Sequence, residues 1–110
     1  MNHLKDMHCS ECHDSGEALT IDQAQALMGQ LDPDWRLADD GKSLRRALRF
    51  DDFYRTMSFV NALAHVANTE DHHPDLELGY NYCNLQFSTH DAGGLTVRDF
   101  ICAAKADALA

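Results

Sequence analysis

The sequence predicts an α+β domain, a two-layer sandwich in which a four-stranded antiparallel sheet carries three helices on one face. Three observations predict it. Three segments repeat apolar residues at spacings of three and four, each behind a capping residue. Two other regions pair strand-like runs across a short turn, as hairpins do. Along the chain these alternate as helix, hairpin, helix, hairpin, helix, with no internal repeat or low-complexity stretch.

Each element has its own local reason. Residues 1–18 hold turn formers, two cysteines and three histidines without periodicity, and are expected to be a flexible leader before a domain over 19–110. Thr20 and Gln23 fit a capping box. Behind it Ile21, Ala24, Leu27, Met28 and Leu31 fall on one helical face, until Asp32-Pro33 bars continuation. Trp35 to Ala38 reads as a short strand and Asp39-Asp40-Gly41-Lys42 as its turn, the glycine supplying positive φ. The return strand spans Ser43 to Phe50. Its Arg45, Arg46 and Arg49 read as a solvated strand face or a subunit contact.

Asp51 is the expected cap of a second helix, with Phe53, Met57, Val60, Ala64 and Ala67 as its stripe, widened by Phe59, Leu63 and Val66. That width predicts the most buried helix, with His65 on its face, ending in Asn68-Thr69-Glu70-Asp71. Leu76, Leu78 and Tyr80 alternate with polar residues as a half-buried strand. After a turn near Tyr80-Asn81, Cys83, Leu85 and Phe87 face one way and Asn84, Gln86 and Ser88 the other. Asp91-Ala92-Gly93-Gly94 is a loop. Thr96 with Asp99 opens the last helix, whose stripe is Val97, Phe100, Ile101, Ala104 and Leu109.

Composition narrows the function. At 110 residues the chain is one domain, and its 45% hydrophobic content is enough for a core without staples. Eighteen acidic against nine basic side chains give a net charge of −9. Phosphate backbones and anionic membranes reward basic patches, so neither nucleic acid nor a membrane is the expected partner. No apolar run reaches the ~18 residues of a membrane span. The N-terminal segment lacks the apolar core of a secretory signal, so the expected location is cytoplasmic, with the four cysteines reduced.

Three constellations compete for the chemistry. The first is Asp71-His72-His73-Pro74, with His90 at the end of a later strand. On an irregular bend before a proline, both adjacent histidines are able to face one cleft. Hairpin return brings His90 toward that bend, and Asp99 in the first turn of the last helix is placed to orient an imidazole. Imidazoles exchange protons near neutral pH. The bland reading is surface histidines; a metal site lacks further ligands at suitable spacing. The second constellation is His8-Cys9-Ser10-Glu11-Cys12-His13, half of a zinc site, a redox pair or an inert leader. The third is the lone Trp35, read as core or rim packing or as an indole at a cleft edge.

The stretch Asp71-His72-His73-Pro74-Asp75, then Tyr80-Asn81, Leu85 to His90, and Gly94-Leu95-Thr96-Val97-Arg98-Asp99-Phe100 closely resembles the pterin-4a-carbinolamine dehydratase family. The resemblance extends upstream to Asp34-Trp35 and Phe50-Asp51-Asp52-Phe53, and covers residues 20 to 108. The His-Cys-x-x-Cys leader is similar to that of bacterial members linked to phenylalanine hydroxylase.

The resemblance implies dehydration of 4a-hydroxytetrahydropterin to quinonoid dihydropterin, recycling the cofactor of aromatic amino acid hydroxylases. It implies proton transfer by His72 and His90, with His73 binding and polarising the hydroxylated centre and Asp99 orienting an imidazole. Asp71 and Ser88-Thr89-His90-Asp91 would contact the pterin, largely through backbone groups, and Trp35 would border the pocket. No metal or bound cofactor is implied, because the pterin is itself the substrate. Subunits of the family pair sheet edge to sheet edge, and often pair again through helices, which implies a homodimer or homotetramer. One position departs from the pattern. Many members carry glutamate four residues before the first histidine, where this chain has Asn68, which implies either a slower enzyme or Asn68 as a neutral hydrogen-bonding replacement; Glu70 is two residues out and points elsewhere. The rival readings are a protein-binding dimerisation cofactor that uses the helical face, an enzyme for a different pterin, and a metal-binding protein built on the leader.

Overall fold

A computed structural model describes residues 3–11 and 17–110. The sequence order is helix α1 (Ile21–Met28), strands β1 (Arg36–Leu37) and β2 (Leu44–Arg49), helix α2 (Phe53–Glu70), strands β3 (Asp75–Leu78) and β4 (Tyr82–Phe87), and helix α3 (Val97–Leu109). Short 3-10 turns occupy Leu4–Asp6, Cys9–Glu11 and His90–Ala92. The four strands form one sheet in the order β1-β2-β4-β3, and every pairing is antiparallel.

The strongest local patterns hold. Thr20 Oγ1 accepts from Gln23 N at 3.1 Å while Gln23 Oε1 accepts from Thr20 N at 2.9 Å, closing the expected capping box. Gly41 sits at φ 69°, the left-handed conformation its turn needs. In β4, Cys83, Leu85 and Phe87 are buried and Tyr82, Asn84 and Gln86 are only half-buried. Opposite them, Leu44 pairs with Phe87 and Leu48 with Cys83, so both strands offer their apolar faces to the helices.

Two elements depart from expectation by phase or depth. Asp52, not Asp51, caps α2, its carboxylate accepting from Arg55 N at 2.8 Å. The buried face is Thr56, Phe59, Val60, Leu63, Ala67 and Glu70, while Phe53 and Ala64 face outward. The Thr56 hydroxyl, buried against the carbonyls of Asp52 and Tyr80, fixes that rotation. The most buried helix is α3, not α2. Its Ala103, Ala104 and Ala106 present little bulk, so the backbone approaches the core closely, carrying Phe100, Ile101 and Cys102 with it. Leu109 stays exposed at its end.

Residues 3–11, in the expected leader, pack on the domain. Leu4 and Cys9 are buried in the core cluster. Leu4 N donates to Gln30 Oε1 at 3.0 Å, Cys9 N to Glu70 Oε1 at 2.7 Å, and Lys105 Nζ to the Lys5 carbonyl at 3.0 Å. This arm lies along α3 because Glu70, at the end of α2, points inward instead of into solvent. Cys12 and His13 fall outside the described residues.

Arg46 is a further correction to the solvated strand face. Between Leu44 and Leu48 it points to the helix side, pairs with Asp107 of α3, and lies 3.5 Å from Asp32. Asp107 also accepts from Trp35 Nε1 at 2.7 Å and from Asp32 N at 2.9 Å. One carboxylate thus ties β1, β2 and α3 together.

Candidate active site

The site is built where α2 ends, β4 ends and α3 begins. Helix α2 is closed by Asp71, whose φ of 51° is left-handed and whose N–H, like that of His72, returns to the Ala67 carbonyl. Aspartate tolerates this conformation better than most residues. The reversal turns His72 inward and leaves Asp71 and His73 exposed. The Pro74 ring then holds the chain extended into β3.

His72 Nε2 lies 2.6 Å from Asp99 Oδ1, and its ring stacks on Phe87 with centroids 6.2 Å apart and planes 10° off parallel. Its side chain is 10% exposed and that of Asp99 is 0%. Asp99 Oδ2 accepts from Thr96 N at 3.0 Å and from Thr89 Oγ1 at 2.8 Å. As a carboxylate Asp99 is acceptor-only, so its other oxygen accepts from His72, which puts the proton of a neutral ring on Nε2 and leaves the lone pair on Nδ1. The same Thr96 and Asp99 pair caps α3, so a helix start and an imidazole share one carboxylate.

The other histidines are held less tightly. His73 Nε2 lies 3.1 Å from Asn68 Oδ1, so the neutral residue at the usual glutamate position does contact an imidazole. The two adjacent histidines thus diverge, one to Asp99 and one back to α2. His90 opens the 3-10 turn that Gly93 closes at φ 75°, with its Nε2 3.4 Å from Ser88 Oγ. Asp91 is exposed on that turn, and the bridge Thr89–Gly94 ties its two ends.

Trp35 does not border this site. It is 2% exposed and tilted against Phe87, one ring removed from His72. Sequence reasoning found the histidines, Asp99 and Thr89, but missed Phe87 as the ring beneath His72 and Cys102, whose Sγ approaches the His72 carbonyl at 4.0 Å. The periodicity of β4 and α3 marks both only as core.

Thiol and carboxylate chemistry behind the site is also shaped by packing. The hydrogen bond with Cys9, reinforced by burial, pushes the Cys102 thiol far up, so it remains an S–H. The same bond draws the Cys9 thiol below its usual range against the opposing effects of burial and Glu70. Burial pushes the Glu70 carboxyl up, but donors from Cys9 N and His8, with Lys105 nearby, outweigh it and leave the group below the ordinary range. Among the described residues no three His, Cys, Asp or Glu side chains are grouped to hold a metal. No helix of the described residues is long and apolar enough to cross a membrane.

A family model described as Pterin 4 alpha carbinolamine dehydratase matches residues 17–109. The chain belongs to this family. A relative from Legionella pneumophila (strain Lens) named for pterin-4-alpha-carbinolamine dehydratase is 51% identical over 106 residues, covering 96% of this chain and 94% of its own. One of the same name from Nitrosomonas europaea is 44% identical, covering 96% and 92%. The family fold is also seen in the crystal structure described as a transcriptional coactivator/pterin dehydratase from Brucella melitensis. It is 30% identical with a TM-score of 0.81, over 86% of this chain and 99% of that one. A second solved relative is described as a pterin dehydratase-like protein identified as a RuBisCO assembly factor in the alpha-carboxysome. It is 25% identical with a TM-score of 0.60, over 68% and 87%. The four-stranded antiparallel sheet with its three helices is thus the dehydratase-family architecture.

Proposed function

We propose that this chain dehydrates 4a-hydroxytetrahydropterin to quinonoid dihydropterin, recycling the cofactor of an aromatic amino acid hydroxylase. The observation that carries this reading is His72, held through Nε2 by the buried Asp99 and with no hydrogen-bond partner at Nδ1 among the described residues, in a chain of the dehydratase family. In the reaction the C4a–O bond breaks and a C4a=N5 double bond forms. Nδ1 of His72 takes the N5 proton, and His90 gives a proton to the departing hydroxyl, which leaves as water. His73, steadied by Asn68, binds and polarises the hydroxylated centre. Asp71 and the backbone of residues 88–91 contact the pterin ring. Paired acid and base groups of this kind contribute about 10²–10⁴-fold each.

The setting follows from the same reading. The enzyme works in the cytoplasm as a homodimer or homotetramer. An association of copies is supported by β1 and β3 lying at the two sheet edges. The outer sheet face supports it too, as a concavity of about 800 Å³ where Arg36 and Arg45 lie beside Asp75 and Glu77.

The test is the dehydration of freshly generated 4a-hydroxytetrahydropterin by wild type, His72→Ala and His90→Ala. The expected result is a wild-type rate well above the spontaneous one and losses beyond ~10²-fold in each variant. A wild-type rate equal to the spontaneous one overturns the reading. It would favour the second one, a protein-binding scaffold, which the relative described as an assembly factor and the exposed Phe53 and Tyr54 on α2 support.

A further inference from the structure

We propose that Thr89 is a positioning residue, whose hydroxyl locks the Asp99 carboxylate so that His72 keeps its proton on Nε2 and its lone pair on Nδ1. The inference rests on the dehydration reading for its kinetic consequence, although its structural half does not. A carboxylate torsion is broad and nearly two-fold, so one partner on each oxygen would leave it free to rock. Asp99 Oδ2 instead takes two donors from different segments, Thr96 N and Thr89 Oγ1. Of these, Thr96 N belongs to the backbone of the α3 cap, whereas the Thr89 hydroxyl arrives from the end of β4, next to His90.

The donor accounting around Thr89 is closed. Its single hydroxyl proton goes to Asp99 at 2.8 Å. Thr96 Oγ1 lies 3.0 Å from Thr89 Oγ1 and must be the donor there, because Thr89 has no second proton to give. The hydroxyl proton is therefore committed to the helix cap, and none is left to donate to a pterin. Asp99 is fully buried, so an oxygen left short of a donor would find no solvent to replace it.

Kinetics and proton NMR of Thr89→Val and Thr89→Ser test this together. Valine keeps the volume and removes the hydroxyl, and serine restores it. Thr89→Val is expected to lose about 10-fold or more in kcat with KM little changed, as misplacement of a catalytic group does. The downfield Nε2–H signal of His72, assigned by its loss in His72→Ala, should broaden or shift in Thr89→Val and persist in Thr89→Ser. A loss in KM alone would overturn the proposal, because it would place the hydroxyl on substrate. An unchanged Nε2–H signal in Thr89→Val, or an equal loss in Thr89→Ser, would also overturn it. The NMR signal needs no turnover. A protein that proves inactive as a dehydratase, yet loses the signal in valine and keeps it in serine, refutes the function while sustaining the positioning.

Discussion

Among the described residues the same chemical pair, a histidine on a buried carboxylate, occurs twice in different surroundings. His72 meets Asp99 at 2.6 Å and His8 meets Glu70 at 2.8 Å, and both carboxylate side chains are almost fully buried. The differences lie around the pairs. The His72 side chain is 10% exposed and stacked on Phe87, while that of His8 is 53% exposed on the N-terminal arm. Asp99 spends its second oxygen on Thr89 and Thr96, which fix its orientation. Glu70 spends its second oxygen on Cys9 N, which fixes the arm. A His–carboxylate contact is thus not itself a catalytic signature. The burial of the imidazole, and what the carboxylate holds besides it, separate the group proposed for proton transfer from a latch.

The largest test of that distinction removes the two imidazoles. His72→Ala should lower dehydration beyond ~10²-fold, whereas His8→Ala should leave it within about 2-fold. Equal losses would erase the distinction. The carboxylates should divide in the same way, with a sharper signature. In Asp99→Asn the carboxamide oxygen is drawn to the two donors of Thr89 and Thr96, so its NH2 faces His72. The neutral ring must then accept at Nε2 and carry its proton on Nδ1, the reverse of the wild-type arrangement. An activity loss on the order of 10²-fold with folding retained is expected, and 15N NMR of the ring should show the exchanged tautomer. A variant that keeps the wild-type tautomer breaks the argument. Glu70→Gln, by contrast, should stay active.

These contrasts also mark what was legible in the amino-acid order. Signals contained within a few residues read correctly: the Thr20–Gln23 and Thr96–Asp99 caps, the alternation of Cys83, Leu85 and Phe87, and the glycine turn at Gly41. In α2 apolar spacing missed Thr56 and Glu70, polar residues that are buried because distant or cap groups hydrogen-bond them. Contacts between distant residues did not read at all. Arg46 and Trp35 turn inward because Asp107 arrives from about sixty and seventy residues away. The arm docks because Glu70 reaches back to Cys9 across 61 residues. In the site, Asp99 as a partner for an imidazole was legible from its place in the first turn of α3. The divergence of His72 from His73 was not, because it depends on the left-handed turn at Asp71.

A smaller effect should appear at the latch itself. Cys9 is buried, so its alkylation requires opening of the arm and scales with how often the arm opens. Glu70→Gln removes the charge that holds Cys9 N, a change of about 1.5 kcal/mol for a charge-assisted bond. Iodoacetamide labelling of Cys9, followed by peptide mass mapping, should therefore rise about 10-fold in that variant. Buried Cys83, on the sheet, should keep its wild-type rate. If both cysteines accelerate together, the substitution has loosened the whole fold and the arm is not a separate latch.

The smallest effect comes from a proton in place of a mutation. The Glu70 carboxyl sits below its ordinary range because the donors from Cys9 N and His8, with Lys105, outweigh the opposing effect of burial. A carboxyl lowered by folding stabilises the docked arm fully above its unfolded value of about 4.3, and that contribution is lost as pH falls through the lower folded value. Docking should accordingly be constant from neutral pH down to roughly pH 5 and weaken only in more acidic solution. The amide protection factor of Cys9, corrected for intrinsic exchange, measures this directly, with buried amides of α3 as the internal reference. The wild-type factor at Cys9 should fall as pH drops below about 4.3, ahead of the α3 amides. In Glu70→Gln it should be lower throughout and flat over that interval, since no carboxyl remains to titrate. A matching fall in the glutamine variant would assign the acid response to another group and detach the pH behaviour of the arm from Glu70.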